Sequence, residues 1–351
     1  MDMQELTNTA KKMVAQDKGL LAMDESINTC NKRFAVLGIS SAVESRRAYR
    51  ELILTTPSLN AYISGVILSD ETIRQEKLDG TSFMKLIDDA GIIAGIKVDK
   101  GTVAMPNHDG ERITEGLDNL SERLQEYYAM GARFAKWRAV ITIGEGMPTD
   151  ACIESNTHAL AIYAAFCQEA GLVPIVEPEV LMEGDHTLSQ CKEATEKVLR
   201  SLFNQLYIHG VALEGLFLKP NMVVPGLNCK QQESIQEVAE ATVNCFLNCV
   251  PAAVAGIVLL SGGQSSKLAT GRLNAMNQKF GFKLPWPLSF SFGRALQDPA
   301  FEIWGGENIH VDAAQKALLF RAQRNWLANR GEYSAVEDIK HDLESNVTVS
   351  K

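Results

Sequence analysis

Residues 133–181 read RFAKWRAVI (133–141), a polar connection, HALAIYAAFCQEA (158–170), Gly171 and LVPIVEPEVL (172–181). The first and last segments have the length and apolar content of buried strands. The middle segment is apolar and helix-like, and Gly171 is placed to end it. A strand, a helix and a second nearly continuous apolar strand predict two parallel strands joined by a crossover helix.

Apolar segments similar to these two strands recur on both sides of this unit along the whole chain, and each is closed by polar or glycine-rich residues. We place them at Gly19 to Asp24, Tyr62 to Ser69, Ile92 to Asp99, Arg133 to Ile141, Leu172 to Leu181, Glu214 to Asn221, Gly256 to Gly263 and Trp286 to Gly293. A helix-like stretch at Leu188 to Tyr207 separates two of them, with an apolar stripe at helical spacing. Eight such units predict an α/β fold, a closed (β/α)8 TIM barrel in a single domain.

The alternative architecture is an open, doubly wound sheet. Its dinucleotide-binding form needs a glycine-rich first turn, whereas the first turn here is Met23-Asp24-Glu25-Ser26, so the barrel is favoured. We assign residues 1–335 to the barrel and residues 336–351 to a polar C-terminal tail.

The composition excludes several classes of protein. The 351 residues carry 43 acidic and 34 basic side chains, a net charge of −9, which argues against nucleic acid as a partner. Seven scattered cysteines without a C-x-x-C pair fit a reducing, cytoplasmic location. We find no signal peptide, and the longest nearly apolar stretch, Val250 to Leu260, is too short for membrane insertion.

Charged side chains cluster at the ends of the predicted strands, where a barrel carries its functional groups. Side chains two residues apart point to the same side of a strand. The charged residues at strand ends are Asp24, Lys97, Asp99, Lys136, Arg138, Glu177, Glu179 and Lys219. Buried charges are costly unless they are paired or used, so their repetition on five strands predicts a functional site.

Lys219 is the sharpest candidate because it follows the apolar run Leu216-Phe217-Leu218. An apolar pocket and a neighbouring ammonium, supplied by Lys136, both favour the neutral amine that acts as a nucleophile. Glu177, between the two lysines, could shuttle protons. The product with a ketone would be an imine, which assists carbon–carbon cleavage. The competing interpretation is a lysine that caps the barrel with its ammonium in water.

Two regions predict phosphate binding. Strand seven ends Ser261-Gly262-Gly263-Gln264, where glycines let backbone N–H groups turn inward, and strand eight ends Gly293-Arg294, where a helix begins. These are the loops in which barrels of this kind hold phosphate. A second phosphate could be held by a group of polar and basic residues nearer strands one and three. Its members are Ser26, Thr29, Lys32, Arg33 and Lys97. The six histidines lack metal-site spacing, so neither a metal nor another cofactor is expected.

The sequence resembles the class I fructose-1,6-bisphosphate aldolases from about Leu6 to Tyr333. The motifs that carry the resemblance, in family order, are LLAMDES around Asp24, GIKVDKG around Lys97, FAKWR around Lys136, VEPE at Glu177 and Glu179, LKPNMV around Lys219, LSGGQ at Ser261 and SFGRALQ at Arg294. The resemblance implies a metal-independent lyase of glycolysis and gluconeogenesis. It would cleave fructose 1,6-bisphosphate reversibly to dihydroxyacetone phosphate and glyceraldehyde 3-phosphate, and it would be a homotetramer.

The resemblance also implies roles for individual residues. Lys219 resembles the Schiff-base nucleophile, Glu177 the general acid and base for imine formation, Lys136 its charged neighbour, and Asp24 the carboxylate beside the ketose hydroxyls. The residues that match the site of the ketone-half phosphate are Ser261, Gly262, Gly293 and Arg294. The residues that match groups serving the other phosphate are Lys97, Ser26 and Arg138, with Arg33 matching an arginine that moves to meet phosphate. Glu179 resembles the partner that holds the lysines and arginines.

The chain departs from the family pattern at two places. Ile27, Asn28 and Thr29 stand where family members commonly have serine and glycine, although Thr29 still offers a hydroxyl. Eukaryotic members end in a tyrosine that assists proton exchange, whereas this chain ends at Lys351 and its last tyrosine is Tyr333. Alternative substrates are sedoheptulose 1,7-bisphosphate or a ketose monophosphate. A non-catalytic binding or scaffold protein is the alternative from another class.

Overall fold

The computed structural model describes residues 3–339, so residues 340–351 of the predicted polar tail lie outside the described residues. The strands are β1 Gly19–Ala22, β2 Ile63–Leu68, β3 Ile93–Lys97, β4 Thr102–Ala104, β5 Arg112–Thr114, β6 Phe134–Ile141, β7 Val173–Val180, β8 Phe217–Leu218, β9 Gly256–Leu259 and β10 Leu288–Phe292. The helices are α1 Met3–Met13, α2 Ile27–Val36, α3 Val43–Leu54, α4 Asp70–Ile73, α5 Phe83–Asp89, α6 Leu120–Ala129, α7 Asp150–Glu169, α8 Leu188–Ile208, α9 Ile235–Cys249, α10 Ser266–Phe280, α11 Arg294–Trp304 and α12 Val311–Asn329.

Eight of the strands form a closed barrel, in the order β1-β10-β9-β8-β7-β6-β3-β2. All neighbouring strands in the barrel are parallel, and helices lie between them in the chain. This confirms the single-domain (β/α)8 prediction. The small strands β4 and β5 form a separate antiparallel pair that follows β3, and the sequence analysis did not predict them.

The predicted boundaries differ from the structure mainly at the sixth predicted strand, which is β8 of the structure. Glu214 to Asn221 was predicted as a strand, but β8 has two residues, and Leu213–Gly215 forms a 3-10 turn before it. Pro220 has no backbone N–H, so it cannot extend the ladder. Lys219 lies just past the strand, and its own N–H still donates to the carbonyl of Val176 at 2.8 Å.

Two hydrophobic cores hold the barrel together. The larger core lies between the strands and the surrounding helices. The smaller core fills the inside of the barrel, where Phe134, Ile175 and Phe217 pack with residues of α1, such as Leu6 and Met13. Helix α1 therefore covers the end of the barrel opposite the strand carboxyl termini.

The charged residues lie two positions beyond inner-core residues on the same strands. Lys136 follows Phe134 by two residues, and Lys219 follows Phe217 by two residues. Because strand side chains alternate, residues two apart point to the same side. The charged layer therefore sits directly above the apolar filling, at the carboxyl end of the barrel.

Tyr333 and the residues after α12 pack back onto the helical layer. Residues 335–339 are helical, and the buried Asp338 pairs with Arg321 at 2.7 Å and accepts a hydrogen bond from Tyr333. The division between barrel and tail at residue 336 stays a prediction. Within residues 3–339, no helix combines the length and the apolar character needed to cross a membrane.

Candidate functional site

A cleft of about 680 Å³ opens at the carboxyl end of the barrel. It brings together every residue that the sequence analysis named as a site residue. These are Asp24, Ser26, Thr29, Arg33, Lys97, Lys136, Arg138, Glu177, Glu179, Lys219, Ser261, Gly262, Gly293 and Arg294. They come from seven of the eight barrel strands or from the loops and helix starts that follow those strands, so only the closed barrel makes them neighbours.

Four ionisable side chains form the floor of the cleft. Lys136 Nζ lies 2.8 Å from Asp24 Oδ2 and 2.9 Å from Glu177 Oε2. Lys219 Nζ lies 3.1 Å from the other oxygen of Glu177, Oε1. The side chains of Lys136, Glu177 and Lys219 are each 4–5% exposed. Two cations thus face two anions in a site that is nearly closed to water.

The charges in this cluster fix each other's protonation. Burial raises the pKa of Asp24, but the ammonium groups of Lys136 and Lys219 outweigh burial and lower it to about 2. Burial likewise acts to raise the pKa of Glu177, and Lys136 and Lys219 hold it below its usual value. Burial acts to lower the pKa of Lys136, but Asp24 and Glu177 raise it above its usual value. Lys136 is therefore a permanent ammonium, and both carboxylates are ionised at neutral pH.

A second group of charges lies beside the first. Lys97 Nζ pairs with Asp99 Oδ1 at 2.6 Å and donates to the carbonyl of Asp99 at 2.9 Å. Asp99 also accepts from the backbone N–H of Arg138 at 3.2 Å. The guanidinium of Arg138 pairs with Glu179. Lys97 and Arg138 each have a carboxylate partner that holds the cation at the wall of the cleft.

Arg33 also lines the cleft and is held by two carboxylates. Its Nη1 donates to Glu25 at 2.5 Å and its Nη2 donates to Asp298 at 2.8 Å. The guanidinium stacks over the ring of Phe301, 4.6 Å from the ring centre. Glu25 also accepts from Arg50 at 2.7 Å, so this carboxylate is shared between two arginines.

The predicted phosphate turn has the geometry of an anion-binding loop. Gly262 and Gly263 have φ of +58° and +89°, a conformation that glycine adopts at little cost. A Cβ atom at Gly263 would lie 3.5 Å from Arg294 Nη2, which shows how close the turn is to that guanidinium. Gly293 is the N-cap of α11 and lines the cleft, and no side chain caps the start of this helix.

Ser26 begins α2 at the edge of the cleft. Its Oγ accepts from the backbone N–H of Thr29 at 3.2 Å, and the two hydroxyls lie 3.1 Å apart. The turn that departs from the family pattern is therefore a capped helix start with both hydroxyls at the cleft.

Three further residues of this site were not predicted from the sequence. Glu25 and Asp298 hold Arg33, and Ser291 lines the cleft with a buried Oγ that has no hydrogen-bond partner. Glu25 could have been suspected because it adjoins Asp24, and Ser291 because it precedes Gly293 by two residues on a barrel strand. Asp298 gave no signal, since it lies on α11, one turn beyond Arg294.

Within residues 3–339, no group of three or more His, Cys, Asp or Glu side chains is arranged to hold a metal ion. The seven cysteines are free thiols, and five of them are buried.

Comparisons with known proteins agree with the motifs. The family model for class-I fructose-bisphosphate aldolase matches residues 5–351. A probable fructose-bisphosphate aldolase class 1 of Xanthomonas campestris is 54% identical, over 95% of this chain and 99% of its own. The fructose-bisphosphate aldolase of Dictyostelium discoideum is 48% identical, over 97% of this chain and 96% of its own.

A solved structure is also similar. It contains the fructose-bisphosphate aldolase of Plasmodium falciparum in a ternary complex with TRAP and a small-molecule inhibitor. The match has a TM-score of 0.93 and 45% sequence identity, and it covers 94% of this chain and 95% of that chain. The likeness therefore extends through the whole barrel.

Proposed function

Because the chain belongs to the class I fructose-bisphosphate aldolase family, we propose that Lys219 is the residue through which it cleaves fructose 1,6-bisphosphate. The products are dihydroxyacetone phosphate and glyceraldehyde 3-phosphate, and the reaction serves glycolysis and gluconeogenesis. The observation that carries the assignment is the position of Lys219 Nζ, buried on the cleft floor and 3.1 Å from Glu177 Oε1.

Imine formation moves two protons from the Lys219 ammonium to the ketone oxygen, which then leaves as water. Glu177 is the group in reach, and as an ionised carboxylate it can accept each proton from the nitrogen and pass it to the departing oxygen. Lys136 stays protonated, so it stabilises Glu177 and Asp24 without competing as a nucleophile. The two lysines therefore have different tasks although both are buried.

Cleavage then breaks the bond between C3 and C4 of the bound sugar. The protonated imine withdraws the electron pair to form an enamine, and the proton of the C4 hydroxyl must leave as the aldehyde forms. Asp24, ionised and 2.8 Å from Lys136, is the carboxylate we assign to the hydroxyls of the sugar. After the aldehyde leaves, C3 takes up a proton, and water hydrolyses the imine to release dihydroxyacetone phosphate and the free amine.

Two separate groups would hold the two phosphates. Ser261, Gly262, Gly293 and Arg294 offer backbone N–H groups, a hydroxyl and a guanidinium for the phosphate on the ketone half. Basic and hydroxyl side chains at the other side of the cleft would hold the second phosphate. These are Ser26, Thr29, Arg33, Lys97 and Arg138, with Glu179 fixing Arg138.

The test of this proposal traps the covalent intermediate. Borohydride reduction with dihydroxyacetone phosphate, followed by peptide mass mapping, should give a stable adduct on Lys219, and Lys219→Met should abolish both adduct and cleavage. Activity should be unchanged in EDTA, because the reaction is assigned entirely to side chains. An adduct on another lysine, or full cleavage by Lys219→Met, would overturn the assignment.

We also propose that the protein is a cytoplasmic homotetramer. The seven free thiols support a reducing compartment, and the family resemblance supports four subunits. Sedimentation equilibrium should give a mass four times that of one chain.

A further inference from the structure

Arg272 is a buried cation that the reaction described above does not use. It lies on α10 and is 5% exposed. Its Nη1 donates to Gln264 Oε1 at 2.7 Å, and its Nε has no partner. Among residues 3–339, Arg272 forms no ion pair with a carboxylate. Burial lowers the pKa of Arg272 to about 10, and Glu233 offsets this only in part.

Such an arrangement contributes little to folding. A guanidinium that leaves water loses hydration, and a single hydrogen bond to a neutral amide recovers only part of that loss. The buried arginines elsewhere in the fold are different. Arg46, for example, pairs with Glu71 at 2.7 Å, so its charge is balanced. The position of Arg272 therefore calls for an explanation other than stability.

Gln264, the partner of Arg272, belongs to the phosphate turn. Its backbone N–H donates to the carbonyl of Ser261 at 3.0 Å and so closes the turn. Its side-chain Nε2 lies 3.6 Å from the sulfur of Met222, three residues beyond Lys219. Gln264 thus connects the phosphate turn to the segment that carries the nucleophile.

We propose that Arg272 is a positioning residue for the ketone-half phosphate, because it holds Gln264 and thereby the turn of residues 261–264 in the anion-binding conformation. The inference rests on the proposed function of that turn. The two glycines of the turn have no side chains to fix them, so the turn depends on its ends for a defined shape. The buried positive charge behind the turn also favours an anion in front of it.

The test compares KM with kcat for two substrates. Arg272→Met should raise KM for both fructose 1,6-bisphosphate and fructose 1-phosphate by about tenfold, the cost of losing one charged hydrogen bond. The same factor is expected for both because they share the phosphate on the ketone half. The kcat should change by less than about twofold, and Arg272→Lys, which keeps a cation and a donor, should raise KM by only about threefold.

Melting temperatures separate a positioning role for Arg272 from a structural one, and the following values are those expected for the positioning role. Arg272→Met should leave the Tm unchanged or raise it, since it removes a poorly compensated buried charge. Gln264→Leu should lower the Tm, since it leaves that charge without a partner, and the double variant should recover the Tm while keeping the raised KM. The matched control is Arg46→Met, which should lower the Tm and leave KM for fructose 1-phosphate unchanged, because it breaks a balanced pair whose two members do not line the cleft.

The outcomes separate the two proposals. If the unsubstituted protein does not cleave fructose 1,6-bisphosphate, the proposed function fails. If it does cleave, and Arg272→Met keeps both KM values or changes only kcat and Tm, the positioning role is overturned and the reaction mechanism stands.

Discussion

Glu177 contacts both lysines through different oxygen atoms, so one carboxylate links Lys219, the proposed nucleophile, to the ammonium of Lys136. This arrangement keeps Glu177 ionised at rest and places it for proton transfer in either direction. Lys136 has the opposite role, because two carboxylates hold its proton. Neighbouring residues of the same type thus acquire distinct functions from the charges around them.

The identity of these residues and the place of Glu177 between the two lysines were predictable from the sequence, but the pairing of Lys136 with Asp24 was not. Charge at strand ends and the spacing of two along a strand indicated Lys136, Glu177 and Lys219. The ion pair between Lys136 and Asp24 joins strands β6 and β1, which are not adjacent in the barrel. Such a contact across the barrel depends on closure and strand tilt, which a sequence pattern does not contain.

The lowered pKa of Asp24 predicts an acid-labile contribution to stability. A carboxylate with a folded pKa of about 2, against 3.8 for the free side chain, stabilises the fold above pH 3.8 and loses this contribution as the pH falls toward 2. The contribution is about 2 kcal/mol at neutral pH. Urea unfolding of Asp24→Asn between roughly pH 4 and pH 2 should therefore show a flatter loss of stability than the unsubstituted protein.

The control for this experiment is Asp118→Asn, which changes an exposed carboxylate on the loop before α6. Its pH profile should follow the unsubstituted protein. An Asp24→Asn profile as steep as the unsubstituted one would show that the pairing with Lys136 does not stabilise the folded state.

At the scale of elements, the proposed phosphate site is built from a turn and a helix start. The turn follows β9 and the helix α11 follows β10, two strands that are hydrogen-bonded neighbours. Their adjacency brings Gly263 against Arg294. Glycine-rich strand ends were visible in the sequence, and the predicted barrel order made them neighbours, so this part of the site was predictable.

Gly263→Ala should weaken substrate binding. Residue 263 has φ of +89°, where a non-glycine residue is strained by about 1–3 kcal/mol, while the added methyl group makes only ordinary contacts. The turn is expected to relax and KM for fructose 1,6-bisphosphate to rise severalfold. Gly38→Ala is the control, because Gly38 has φ of +69° and open space around it at the end of α2. It should lower the Tm without changing KM, and an equal KM effect in both variants would contradict this explanation.

Other elements could not be read from the sequence. Helix α7 begins at Asp150, eight residues before the predicted His158, with its N-terminus capped by Thr149. Its packing against α6, α8 and the three strands β5, β6 and β7 buries several faces, so no clear apolar stripe marks its start. The pair β4 and β5 has three-residue strands, too short for a periodic signal.

At the scale of the whole molecule, the charged layer depends on the apolar layer beneath it. Phe134 occupies the barrel interior beside Gly95, where a Cβ atom would come within 2.1 Å of the ring. The inner core is small and includes α1, an element outside the βα repeat. The alternation of strands and helices in the sequence predicted the barrel. It did not indicate that α1 closes the barrel end opposite the strand carboxyl termini.

Leu6→Ala should destabilise the protein without altering the chemistry. Leu6 is 1% exposed and packs within the inner core, so truncation leaves a cavity that costs about 2–5 kcal/mol. Urea unfolding should detect the loss, and kcat and KM of the folded protein should stay unchanged because α1 lies at the far end from the cleft. Leu78→Ala, at an 87% exposed position, should change stability by less than about 0.5 kcal/mol. Equal stability of the two variants would show that α1 does not seal the barrel.

Because α1 closes one end of the barrel, it also limits how substrates enter the site and how products leave it. With one end filled by Leu6, Met13 and the aromatic side chains above them, sugar phosphates can enter and depart only through the mouth at the other end. Lys219 lies on the floor of this passage, so a ketone half attached to it as we propose would be bound at the closed end. The unattached aldehyde would then be free to leave while the ketone half is still bound, so the closed end and the covalent bond together would set the order of product release.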